Sequence, residues 1–179
     1  MLSKPYLMVL AILVIWNILI FLSPFLESPE LKSTAYSFFG YFCHQIPSRS
    51  ISPSELTFGI VQNFYEFPVC TRDLAFYLFL MIGVIAFPIF RKINSKEVPN
   101  IWFLILAITP MAIDGGTQLL GWRESTNMLR FLTGALAGFI CAYYLIPLVN
   151  IFVDMLKDER LIKWQKRKRN QKQKMKQKQ

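Results

Sequence analysis

The chain has 179 residues, of which 54% are hydrophobic, 15% aromatic and only 17% charged. This composition excludes a disordered chain, a collagen-like repeat and a disulfide-rich secreted domain. It is also too apolar for a soluble domain of this length, so the chain is predicted to lie in a lipid bilayer. The formal net charge of +9 comes from residues 157–179, which hold eleven Lys and Arg but only two acidic residues, so the basicity belongs to a tail and does not indicate a nucleic-acid-binding fold.

Four stretches of the chain are apolar for long enough to cross, or nearly cross, a membrane, which takes about 20 residues. They are Pro5–Leu26, Leu74–Phe90, Val98–Ile113 and Phe131–Val153. No small-residue cleavage site follows the first stretch, so it is predicted to be a retained anchor. The third stretch covers only about 24 Å of a hydrocarbon layer about 30 Å thick. It is therefore expected to extend into residues 114–122, with a kink or break at Pro110 or at the Gly115-Gly116 pair.

These stretches predict an all-α polytopic membrane protein, with a four-helix transmembrane bundle in residues 1–156 and a basic tail in residues 157–179. The first outer connection contains Leu31–Phe42, whose five aromatic residues indicate a short amphipathic helix in the membrane interface. In the fourth span, Gly134 and Gly138 lie on one helical stripe. That stripe predicts close packing on another helix, either within the bundle or in a homo-oligomer.

The orientation follows from the basic residues that lie close to the span ends. Lys4 precedes the first span, three Lys and Arg residues join the second and third, and the basic tail follows the fourth. Both termini are therefore predicted to be cytoplasmic in a cell membrane, with the tail attracting anionic lipid. The connections 27–73 and 114–130, which carry most of the reactive side chains, are then predicted to be extracytoplasmic.

The sharpest local motif is Cys-His-Gln-Ile-Pro-Ser-Arg-Ser at residues 43–50, where the proline is expected to end the preceding helix near the Cys-His pair. Cys70 and Asp73 lead directly into the second span. Three interpretations stay open. A Cys43–Cys70 disulfide would contribute about 3 to 4 kcal/mol. Cys43, His44, Cys70 and Asp73 could ligate a zinc-like ion, or His44 could simply be hydrogen-bonded at the interface.

The second outer connection adds two further sets of candidates. Asp114 and Gln118 are four residues apart and would share one helical face, which makes Asp114 a candidate acid/base with Gln118 beside it. The candidates for binding an anionic group are Arg72, Arg123, Asn127 and Arg130. The alternative is an interhelical ion-pair network, in which Arg123 or Arg130 neutralises Asp114 or a neighbouring carboxylate.

Taken together, the motifs resemble domain-of-unknown-function family 2085, a family of small polytopic prokaryotic membrane proteins. The matching motifs are CHQxPxRS at 43–50, FPxCxR at 67–72, IDGxTQ at 113–118 and RESxNxxR at 123–130. The resemblance covers approximately residues 36–140 and implies a multi-pass membrane fold without an established activity. In that family a Cys-x-x-Cys-Thr-Gly sequence is usual, and here Asp73 stands where the second cysteine would be. A carboxylate can still bind zinc, but a redox pair is lost, so the resemblance favours the metal over the disulfide.

Two functions from different classes follow. The first is a membrane-embedded, zinc-like centre on the extracytoplasmic face, supporting metal-assisted hydrolysis or group transfer on an anionic lipid or small substrate. The second is a non-catalytic transporter or scaffold, whose outer motifs lock the helices through a disulfide and ion pairs. A thiol oxidase is a third and weaker hypothesis, since the Cys-x-x-Cys pair is missing. Because the chain has one histidine, a multi-histidine metal centre within one subunit is excluded.

Overall fold

The computed structural model describes residues 4–57 and 65–176, and within these ranges the only regular elements are helices. The six α-helices are α1 Lys4–Leu22, α2 Pro29–Gly40, α3 Pro53–Leu56, α4 Thr71–Phe90, α5 Ile101–Leu119 and α6 Asn127–Lys176. Short 3-10 turns lie at Ser23–Phe25 and Pro47–Arg49. The predicted all-α class is confirmed.

Four of these helices are long and apolar enough to cross a membrane, and they cover Lys4–Phe25, Thr71–Phe90, Ile101–Leu119 and Asn127–Arg160. The predicted four-span membrane fold is therefore confirmed. As expected from its length, the third span continues past Ile113 to Leu119, and it does so without a break. Pro110 lies inside α5, where the Thr109 hydroxyl donates to the Ile105 carbonyl at 2.6 Å. Pro110 has no amide to donate to the Leu106 carbonyl, a loss that membrane helices tolerate where other groups satisfy the backbone.

Helices α4 and α6 form the closest pair in the bundle because small residues let their backbones meet. A Cβ atom on Gly134 would overlap the carbonyl oxygen of Arg72, and one on Gly138 would overlap that of Phe76. The glycine stripe of α6 is thus filled by α4 of the same chain. Packing within the bundle was one of the two predicted uses of the stripe, and a homo-oligomer would need a surface other than Gly134 and Gly138.

Two apolar clusters fill the space between the helices. One holds Tyr6, Val9, Leu13, Val84, Phe87, Ala142 and Ile146, and the other holds Ile20, Phe39, Cys43, Phe67, Val69 and Leu74. Helix α2 contributes Phe39 to the second cluster while Leu31, Phe38 and Phe42 near it stay exposed. This division is typical of a helix that lies in the membrane interface, as the aromatic pattern predicted.

The bundle has two chemically different ends. The end formed by residues 41–52, 65–73 and 113–130 is called the motif end, and the end formed by Lys4, residues 91–100 and Asp154 is called the basic end. At the basic end, Asn150 donates to the carbonyls of Ile93 (2.8 Å) and Ser95 (3.0 Å), which fixes the α4–α5 connection against α6. Helix α6 continues through residue 157 without interruption, so the proposed division between bundle and tail is one of composition and not of backbone.

Candidate functional site

The turn after α2 places Cys43 at the motif end. The helix stops at Gly40, and the Cys43 amide donates to the Phe39 carbonyl at 3.0 Å. Gln45 then takes a left-handed backbone conformation, with φ of 51°, which is uncommon for a residue other than glycine. Its side-chain amide donates to the carbonyls of Tyr36 and Pro68. Gln45 therefore connects the end of α2 to the segment that enters α4.

This connection brings two thiols and a carboxylate together. Cys70 is the N-cap residue of α4, and its amide donates to the Cys43 Sγ at 3.1 Å. The Cys70 Sγ in turn donates to an Asp73 carboxylate oxygen at 3.2 Å. The ligand atoms of Cys43, Cys70 and Asp73 all lie within 4.8 Å of one another. Both cysteines are free thiols here, with no disulfide between them.

The two thiols have different acidities because they lie side by side. The Cys70 side chain, which hydrogen-bonds the Cys43 sulfur, lowers the pKa of Cys43 to about 7, although burial acts in the opposite direction. The same neighbour, together with burial, raises the pKa of Cys70. Of the two thiols, Cys43 is therefore the more acidic. A thiolate is the form of cysteine that binds metals and acts as a nucleophile.

His44 lies outside this three-residue group. Its side chain is exposed, whereas that of Cys43 is buried, because neighbouring side chains diverge along the chain. Of the four predicted metal ligands, the structure thus gathers three and leaves the imidazole at the border of the same cavity.

Asp114 has a set of partners that satisfies it fully. Its side chain is 2% exposed and accepts hydrogen bonds from Arg72, from Arg123 Nη2 at 2.7 Å and from Ser125 Oγ at 2.9 Å. The guanidinium of Arg72 can approach α5 because Gly115 has no side chain, and a Cβ there would be 3.1 Å from Arg72 Nη1. The pairing of Arg123 with Asp114 is the one that the alternative interpretation described, and Arg72, which that interpretation did not name, is the second arginine.

Arg130 is buried at the same end and serves a different set of partners. It donates to the Ser48 carbonyl at 3.2 Å and to Asn127 Oδ1 at 2.7 Å, and its Nη2 is 3.9 Å from the exposed carboxylate of Glu124. Gln118 also donates to Glu124, at 3.2 Å. Asn127 thus acts as a partner of Arg130, and the predicted anion-binding residues divide into two groups.

A cavity of about 200 Å³ opens next to the three-residue group. It is lined by Phe42, Cys43, His44, Gln45, Ile46, Arg49, Cys70, Arg72, Asp73, Gln118 and Arg130. Arg49 was not among the predicted site residues. Its place in the CHQxPxRS motif was a usable signal, since the Pro47–Arg49 turn folds that segment back over the start of α4, where Thr71 donates to the Arg49 carbonyl at 3.1 Å.

Comparison with known proteins shows the family to which the chain belongs. The family described as predicted membrane protein (DUF2085) matches residues 43–144. An uncharacterized protein of Methanocaldococcus jannaschii is 37% identical over 162 residues, which are 86% of this chain and 96% of the relative. An uncharacterized protein of Methanothermobacter thermautotrophicus is 40% identical over 101 residues, which are 56% of this chain and 80% of the relative. No solved structure matches the chain. Since the family match starts at Cys43 and includes every residue that lines the cavity except Phe42, the chain belongs to domain-of-unknown-function family 2085.

Proposed function

We propose that this protein is an integral membrane metalloprotein in which Cys43, Cys70 and Asp73 hold a zinc-like divalent ion. The observation that carries the proposal is the convergence of these three donors within 4.8 Å, although 27 residues separate the two cysteines. Thiolate and carboxylate are donors that zinc accepts in tetrahedral sites. Zinc–sulfur bonds of about 2.3 Å put neighbouring donors just under about 4 Å apart, so the present spacing needs only a small contraction.

The cavity explains why such a site would be more than structural. Three protein ligands leave a position open in a tetrahedral site, as in catalytic zinc centres. Here the three donors border a polar cavity, into which the open position would face, and His44 borders the same cavity outside the group of donors. An ion bound here would supply a Lewis acid, which supports hydrolysis or group transfer on an anionic substrate. The cavity arginines would orient that substrate.

The residues around Asp114 have a supporting role in this proposal. Asp114 was the candidate acid/base, with Gln118 beside it. The carboxylate of Asp114 is already used by two arginines and a serine, and the amide of Gln118 by Glu124. We therefore infer that Asp114 holds α4 against α5. Before Asp114 could transfer a proton, its bonds to the two arginines and the serine would have to break.

The test is metal analysis of full-length protein purified in detergent without chelator. We expect about one zinc-like ion per chain in the wild type and a loss of most of it in Cys70→Ser. Cys141→Ser is the matched control, since Cys141 lies in α6 away from the cavity. This variant protein should keep its metal. Reconstitution with Co²⁺ gives a second readout, because thiolate ligation produces a charge-transfer band that Cys70→Ser should weaken. Metal far below one ion per chain in the wild type would contradict the proposal.

A metal-free scaffold or transporter is the second candidate. The Asp114 network favours it, because several motif residues, Arg72, Arg123 and Ser125 among them, contact one another rather than an open site. It predicts little metal in wild type and variant alike, together with a lower thermal stability of network variants. The same metal analysis therefore decides between the two candidates.

The sidedness of the site is part of the same proposal. Lys4, the connection 91–100 and the tail all carry basic residues at one end of the bundle, and such residues favour the cytoplasm. This asymmetry supports cytoplasmic termini and a motif end that faces outward. The tail then meets the inner leaflet, where anionic lipid attracts it by about 1 kcal/mol per basic residue close to the surface.

A further inference from the structure

We propose that the cavity beside the cysteine cluster binds a phosphate group, and that Arg49 and Arg130 hold it. The inference rests on the proposed function, because the same cavity serves both, and it names the class of substrate. It is carried by the arginines and not by the metal ligands, so that the two ideas can fail separately.

The first argument is the charge of the cavity. Three arginines are among the residues that line it, Arg49, Arg72 and Arg130, and Asp73 is the one acidic residue. Arg49 and Arg72 are close enough to Arg130 to repel it electrostatically. The nearby Asp114 is shared between Arg72 and Arg123, and Glu124, whose carboxylate is 3.9 Å from Arg130 Nη2, is 81% exposed. A cluster of like charges at a low-dielectric edge needs a counter-charge, and phosphate matches the planar fork of arginine.

The second argument is a pair of donors that have no acceptor. The Nε atoms of Arg72 and Arg130 are buried and make no hydrogen bond within the described part of the chain. The Arg130 side chain is 3% exposed, so water does not easily satisfy it. Leaving such a donor unpaired is unfavourable, whereas an oxyanion in the cavity offers several acceptor atoms. Arg49 strengthens the case, since among the described residues its side chain has neither a hydrogen bond nor an ion pair.

The third argument concerns where the phosphate comes from. Phe42 and Ile46 form an apolar part of the cavity lining, and both are exposed, at 55% and 36%. Phe42 continues the exposed side of α2, which also presents Phe38 and Leu31. A polar head in the cavity with an apolar tail along this rim describes an amphiphile, and a lipid phosphate monoester fits. A free phosphate shares the same head-group chemistry, and the experiment separates the two sources.

The experiment is a calorimetric titration of full-length protein in a phosphate-free detergent. One series uses inorganic phosphate and another a short-chain phosphatidic acid, with the matching short-chain diacylglycerol as the ligand that lacks the phosphate. The variants are Arg49→Gln, Arg49→Lys and, as a control at the basic end, Arg91→Gln. Arg49 is the chosen position because its hydrogen bonds are made by the backbone alone, from its amide to the Ile46 carbonyl at 2.9 Å and from the Thr71 hydroxyl to its carbonyl, so the variant should fold.

We expect phosphatidic acid to bind to the wild type and to bind about tenfold or more weakly to Arg49→Gln, since a charge-assisted hydrogen bond is lost. Arg49→Lys should lie between them, and Arg91→Gln should match the wild type. Equal binding of inorganic phosphate and phosphatidic acid would support the site and identify the free anion as its source. Equal binding by wild type and Arg49→Gln, binding of diacylglycerol as tight as that of phosphatidic acid, or no binding in either series would overturn the inference.

Metal content measured on the same samples keeps the two proposals apart. Metal-free protein that still binds phosphate through Arg49 would contradict the metal centre alone. Metal-loaded protein that binds neither phosphate ligand would contradict the anion site alone.

Discussion

Asp114 is a buried carboxylate inside the membrane-spanning helix α5. A lone carboxylate at that depth is unfavourable by several kcal/mol, so it persists only where partners surround it. Arg72 comes from α4, while Arg123 and Ser125 come from the α5–α6 connection. One buried carboxylate thus joins three parts of the chain at the motif end, next to the cavity.

Replacing Asp114 by Asn should destabilise the protein, because Arg72 and Arg123 would remain side by side without their counter-charge. We expect the free energy of unfolding to fall by about 2 to 3 kcal/mol, somewhat less than for a fully buried pair because Arg123 is 44% exposed. Thermal unfolding in detergent measures the change. Glu124→Gln is the control, since Glu124 is 81% exposed and 3.9 Å from Arg130, and should lower the stability by less than about 1 kcal/mol. Equal melting temperatures for Asp114→Asn and wild type would exclude this role.

For single residues, the sequence identified the side chains that belong to the site better than it identified the residues that they contact. Cys43, Cys70 and Asp73 were all identified as candidates, because their motifs stand at the ends of apolar stretches. Their convergence depends on the left-handed conformation of Gln45 and on its bonds to two distant carbonyls, which no periodicity reveals. In the same way, Asp114 was expected to pair with Arg123 or Arg130. That Arg72 reaches it depends on the space above Gly115, which is a property of the packed helices.

Among the elements, the pairing of α4 with α6 positions the site. Cys70, Arg72 and Asp73 lie at the start of α4, and Arg130 lies at the start of α6. Close contact of these two helices therefore sets the distance between the cysteine group and the buried arginine. Hydropathy and span length predicted the helices, including the extension of α5 beyond Ile113. The spacing of the glycines predicted the small-residue stripe. It could not assign the stripe to a partner, because a repeat of small residues indicates close packing without naming the surface opposite.

Gly138→Ala should loosen this pair, since the added methyl group would overlap the carbonyl oxygen of Phe76. Overpacking of this kind lowers the free energy of unfolding by about 1 to 3 kcal/mol. Gly116→Ala is a matched control in α5, because a Cβ there meets nothing within 4 Å and alanine is the better helix former. Melting temperatures in detergent should therefore fall for Gly138→Ala and stay level or rise for Gly116→Ala. A similar response of the two variants would mean that the α4–α6 contact is looser than the structure shows.

The two ends of the whole molecule differ in chemistry. One end carries the arginine-lined cavity and the cysteine group, and the other carries the basic connection and the long basic continuation of α6. Because α1, α4, α5 and α6 alternate in direction, the four span ends at each pole share one side of the membrane. The function proposed for the cavity therefore depends on which pole faces outward, since the proposed ligands are different on the two sides.

Reporter fusions in a bacterial host test this orientation. The basic residues predict that a fluorescent protein fused after residue 179 folds in the cytoplasm and fluoresces, while alkaline phosphatase fused there stays inactive. Alkaline phosphatase fused after Leu120, at the end of α5, should be active, because that point belongs to the opposite pole. A fusion after Asn100 serves as the control within the bundle, since it precedes α5 and should behave like the fusion at residue 179. If the pattern were reversed at all three positions, the motif end would face the cytoplasm, and its cavity would have to be assigned to cytoplasmic ligands.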